Sequence, residues 1–92
     1  MNVEILSENA REQIISQGYS VLTAWHAYKN CFVHVIEFHR ENGKVELDEA
    51  LVDLYRKRAR YEYDAGQTSY NHYRFTSGNA ERLVQYSKTG VW

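Results

Sequence analysis

Asn71, His72, Arg74 and Asn79 are the residues whose types and spacing most suggest chemistry. Asparagine pairs its amide with adenine, and arginine presents its fork to guanine or phosphate. All four fall in the stretch Gly66 to Gly90, GQTSYNHYRFTSGNAERLVQYSKTG, which reads as a helix with a start and a stop. Ser69 is placed to accept a free backbone N–H in the first turn, and Gly90 to take the positive φ that ends a helix. Tyr73, Ser77, Ala80, Val84 and Tyr86 recur at roughly helical spacing, with the polar group on the opposite side near the start. Such groups on a stiff helix end suit recognition better than catalysis. Solvated helix surface is an equally good account of Asn71 and Arg74. Core packing with an exposed hydroxyl is the commoner role for a residue such as Tyr73.

Other reactive side chains offer less. His26, His34 and His39 lie eight and five residues apart, so no two have the i, i+4 spacing of a helical zinc site. His34 and Glu37 stand at i, i+3, the spacing of a surface pair. The single cysteine, Cys31, excludes an intrachain disulfide and a cysteine-based zinc cluster. Nothing near it would depress a thiol pKa, so it reads as a buried structural residue. No catalytic residue, metal or cofactor is expected.

The 92 residues suffice for one domain with a modest core. A hydrophobic fraction of 43% is that of a globular protein, and the absence of proline favours long helices with short connections. No apolar run approaches the ~20 residues of a membrane span. The opening MNVEILSENA is acidic and too short of apolar length for a secretion signal, so a cytoplasmic location is expected. The net charge of −1 hides a polarity. Residues 1–53 hold four Lys/Arg against nine Asp/Glu, a net −5, whereas residues 54–92 hold seven against three, a net +4. The basic half contains the run Arg56-Lys57-Arg58-Ala59-Arg60 and the polar helix. That asymmetry would orient the domain on a phosphate backbone, although a charge run by itself is usually a solvated helix face.

Four helices would position these groups. The first is expected from about Ser7, as cap, to Gln17, with Ile14 and Ile15 as a small apolar face and Gly18 as the stop. The second runs from Ser20 to about Asn42. Leu22, Trp25, Phe32, Val35, Ile36 and His39 follow its period, Ala24, Ala27 and Phe38 widen the stripe, and Gly43 ends it. The third starts near Asp48 and closes at Gly66, and the fourth runs from Ser69 to Thr89. Gly78 inside the fourth would mark a close contact or a kink. The segment Asn42 to Leu47 is too short to found a sheet. The resulting bundle is expected to bury Trp25, Phe32, Ile36, Leu54 and Leu83 together.

SYNHYR, followed about one helix length later by a tyrosine and then Thr89-Gly90, resembles the last helix of the N-terminal core-binding domain of tyrosine recombinases, the phage and transposon integrases. Gly18-Tyr19-Ser20, then Thr23 and Tyr28, then an aromatic-rich helix to Glu41-Asn42-Gly43, resembles the opening helix of that domain. The resemblance spans roughly Ile14 to Trp92. It implies an all-α, compact orthogonal four-helix bundle of the SAM-like type, whose second and fourth helices lie against double-stranded DNA. The implied contacts are Ser20, Thr23 and Lys29, with His26, from the second helix. From the fourth they are Asn71, His72, Arg74, Ser77 and Asn79. The resemblance further implies that residues 1–92 are one domain of a longer bacterial or phage-encoded, nucleoid-associated integrase. The catalytic domain, which carries the nucleophilic tyrosine, would lie beyond it. Other protomers of the recombinase on DNA would be its partners. The alternatives are a helical protein–protein interaction module and a stand-alone accessory regulator.

Overall fold

Each of the four rods begins at a side chain that satisfies otherwise unpaired backbone N–H groups. The computed structural model describes all 92 residues, Met1 to Trp92. Helix α1 (Val3–Ser16) is capped by Asn2, whose Oδ1 accepts from the amides of Glu4 and Ile5 at 2.9 and 3.1 Å. The expected start at Ser7 is therefore one turn too late. Ser7 is buried, and its hydroxyl donates to the Val3 carbonyl at 2.7 Å. Val3, Leu6, Ala10 and Ile14 form one apolar stripe that extends upstream of Ser7, while Ile15 stays exposed.

After the turn at Gly18, Ser20 caps α2 (Val21–Ala27), accepting from the Thr23 amide at 3.0 Å. The rod continues through a π-helical turn (Tyr28–Phe32) into α3 (Val33–Glu41). The sequence predicts one uninterrupted helix here. The wide turn falls where the rod buries both Cys31 and Phe32, and the Cys31 thiol donates to the Thr76 carbonyl of the last helix at 3.2 Å. Asp48 caps α4 (Glu49–Asp64) through the Ala50 amide at 2.9 Å. Ser69 caps α5 (Tyr70–Thr89) through the His72 amide at 3.1 Å, and Gly90, at φ 72°, stops it. The extended piece between α3 and α4 makes only a single antiparallel bridge, Asn2 to Glu46.

The fold is thus all-helical: four rods, with α5 packed along α4 and also touching α1, α2 and the π turn. Phe32, Ile36 and Leu83 share the core with Val35, Val52 and Ala80. Trp25 and Leu54 do not, being 46% and 51% exposed. The small Ala24 and Ala27 take the inward positions of α2, and Leu51 and Val52 those of α4, which turns the two larger side chains out. Trp92 caps the core instead, edge-on to Phe32 with centroids 5.6 Å apart. Gly78 is neither a kink nor a close approach: α5 runs through it, and nothing lies within 4 Å of where a Cβ would be.

Candidate nucleic-acid interface

Thr23, His26 and Asn30 from the second rod face Asn71, His72 and Phe75 from α5 across one open groove. The Ser20 cap fixes the first turn of α2, and the hydroxyls of Ser20 and Thr23 lie 2.9 Å apart. The Ser69 cap fixes the first turn of α5, which carries Asn71 and His72. Asn30 reaches the groove from within the π turn, a device that recurs at functional sites. The six lining residues offer amides, imidazoles and a hydroxyl, with one phenyl ring and no carboxylate.

Thr23, Asn71 and His72, expected as contact residues, therefore meet, with His26 beside them. Lys29, next to Asn30, and Arg74, one turn from Asn71, are exposed and form no ion pair or hydrogen bond with the rest of the chain. Ser20 is occupied as a helix cap and lies outside the groove lining. Ser77 points elsewhere: it is 7% exposed, and its hydroxyl accepts from Arg56 Nε at 3.1 Å in the α4–α5 seam. Asn79 is half-buried, and its amide donates to the Phe75 carbonyl at 2.9 Å. Asn30 and Phe75 are the lining residues that the sequence reading passed over. Both were legible from the helical period, Asn30 at four residues from His26 and Phe75 at four from Asn71.

The basic run on α4 is largely neutralised within the fold. Arg56 reaches Glu81 at 3.3 Å, Arg58 reaches Glu62 at 3.1 Å and Arg60 reaches Asp64 at 3.1 Å. Only Lys57 of that run remains unpaired. The net +4 of the second half is thus not a uniform cationic face.

A second, more enclosed cleft opens between α3, α4 and the start of α5. Asn30 and His72 line it too, so they form the ridge between the two depressions. Its character is different, with Glu37, Glu41 and Glu62 on its walls. His34 lies 3.7 Å from Glu37, as the sequence spacing suggested. No cluster of three histidine, cysteine or acidic side chains is arranged to hold a metal ion. Behind this cleft, burial pushes the Cys31 thiol up to about 12, against a smaller lowering effect from Tyr55. Burial likewise raises the Tyr55 phenol, with Cys31 beside it adding to the shift. Cys31 is thus a protonated structural thiol.

No helix is long and apolar enough to cross a membrane. Compared with known proteins, the chain matches no family model, no curated sequence and no solved structure.

Proposed function

We propose that the chain is a DNA-binding domain of a site-specific tyrosine recombinase, holding duplex DNA along the groove between the second rod and α5. One observation carries this reading. The groove of Thr23, His26, Asn30, Asn71, His72 and Phe75 carries no carboxylate, and the chain neighbours of Asn30 and Phe75, Lys29 and Arg74, are exposed cations that the fold leaves unpaired. Unpaired cations are the ones able to displace counterions from phosphates. Asn71 and Asn30 supply amides of the kind that read adenine edges. The positive end of the α5 dipole points into the same region. The resemblance of SYNHYR and of the GYS segment to the recombinase core-binding domain supports the same surface from sequence. In a full-length enzyme this domain would clamp one face of the duplex, opposite a catalytic domain, and pack against neighbouring protomers.

A mobility-shift titration at low and moderate salt tests it. Wild type should bind duplex DNA with an affinity that falls as salt rises, and Asn71→Ala and Arg74→Ala should each bind more weakly. Equal, weak binding by all three proteins would remove the groove from consideration.

A protein–protein interaction module is the second reading, favoured by the exposed apolar side chains of Tyr19, Val21, Leu22 and Trp25 around the start of α2. It requires that wild type show no DNA affinity, which the same titration decides.

A further inference from the structure

At the corner where α4 ends and α5 begins, three tyrosines and an arginine form a pre-assembled cluster. Tyr63 and Tyr73 lie nearly parallel, with centroids 5.2 Å apart and 12° between planes. Tyr70 leans on Tyr63 with centroids 5.7 Å apart and the rings tilted by 60°. The Arg60 guanidinium sits 5.8 Å from the Tyr63 centroid and 5.6 Å from that of Tyr73. It is held there by Asp64, and the Tyr73 hydroxyl and Asp64 both raise its pKa. Tyr63 and Tyr73 are half-buried by this arrangement, but Tyr70 remains 54% exposed. It stands at the first position of α5, directly before Asn71 of the groove.

We infer that this corner is a stacking platform for an unpaired nucleobase next to the duplex; the inference rests on the DNA-binding reading above and extends it. A ring already packed on one side loses little conformational freedom when a second flat ring covers the other. Every base has a π face, so such a platform accepts an unpaired base without regard to sequence. The surroundings suit the attached phosphates. Lys57 and Arg74 are unpaired, and Asp64 is engaged by Arg60. Tyr73 and Arg60 also line a shallow α4–α5 depression with Arg56, Lys57 and Asp53, so the platform borders a surface with more cations than carboxylates. A paired base within an intact duplex could not reach Tyr70, because its faces are covered by its neighbours.

The test compares a blunt duplex with the same duplex carrying a short single-stranded gap, by fluorescence anisotropy. Wild type should favour the gapped DNA by about tenfold, the scale of one base stacked on an aromatic ring. Tyr70→Ala should lose that preference and keep its affinity for the blunt duplex, whereas Tyr70→Phe should retain both. Tyr61→Ala is the control, since Tyr61 is 70% exposed on α4 and takes part in none of the ring contacts. Circular dichroism checks that each variant is folded. Equal affinity of wild type for the two DNAs, or parallel loss of both in Tyr70→Ala, overturns the platform. If only the gapped DNA binds, and does so through Tyr70, the duplex groove is wrong and the platform stands. Failure of the protein to bind either DNA overturns both.

Discussion

The imidazole of His39 accepts the amide proton of Asp48 on Nε2 at 3.0 Å, while its Nδ1 donates to the Val35 carbonyl at 2.8 Å. A carbonyl only accepts and an amide N–H only donates, so the pair fixes the tautomer with the proton on Nδ1. His39 is fully buried. It ties the end of α3 to the residue that caps α4, and so sets where α4 begins. His39→Leu would leave the Asp48 amide without its partner. Loss of stability of about 1–3 kcal/mol is expected, the cost of an orphaned buried donor. Urea unfolding of the variant beside wild type measures it, and an unchanged midpoint would show that the latch is dispensable.

Gly78 gives the opposite sign. It lies within α5 at ordinary helical geometry, with open space where a Cβ would stand. Gly78→Ala should stabilise the fold by about 1 kcal/mol, through helix propensity and a less flexible unfolded chain. The corresponding rise in Tm for a domain of this size is about 4–8 °C, read directly from a thermal melt.

Thr68 offers a second route to a more stable protein. Its hydroxyl oxygen is the one buried side-chain polar atom without a hydrogen-bond partner. Thr68→Val keeps the branched shape and removes the stranded group. A gain of about 1 kcal/mol or more follows from the usual desolvation penalty. A destabilised Thr68→Val would mean that the hydroxyl has a partner in solution.

Stability should fall in alkali. Burial raises Cys31 from 9.0 to about 12 and moves Tyr55 upward from 10.0. The unfolded chain sheds both protons earlier than the native state. Above about pH 9 the native state therefore binds more protons, and unfolding becomes easier as pH rises. Urea midpoints measured from pH 8 upward should decline, and Tyr55→Phe should flatten the decline. A wild-type profile that stays flat to pH 11 would contradict the burial of these two groups.

How much of this was legible in the sequence depends on the kind of signal. Ser20, Asp48 and Ser69 announce their helices because capping is a local transaction between a side chain and amides two or three residues away. The glycines at 18, 43, 66 and 90 announce the stops for the same reason, each adopting positive φ. Asn2 caps as well as any of them, but the acidic residues after it obscured the apolar stripe that begins at Val3. The exposure of Trp25 and Leu54 was hidden because several faces of each helix carry apolar residues, and tertiary packing chooses among them. The π turn leaves no local mark. Thr23 and Asn71 were placed in one interface by resemblance, and Asn30 between the two depressions was not. The pairing of Arg56 with Glu81 crosses 25 positions, which a count of charges in each half cannot register.

That pairing changes which cations should matter for DNA. A charge already matched by a carboxylate releases no counterion unless its partner is displaced, so the salt dependence of binding should sort the basic residues by structure and not by their density in sequence. Lys29→Ala and Arg74→Ala should each lower the slope of log K against log[salt] by about one, the increment for a single lost phosphate contact. Arg58→Ala removes a cation paired with Glu62 on the wall of the acidic cleft, and should leave the slope unchanged. Anisotropy titrations over a range of salt give all three slopes. If Arg58→Ala lowers the slope as much as Arg74→Ala does, the duplex lies across α4 instead, and the groove between the second rod and α5 is not where phosphates bind.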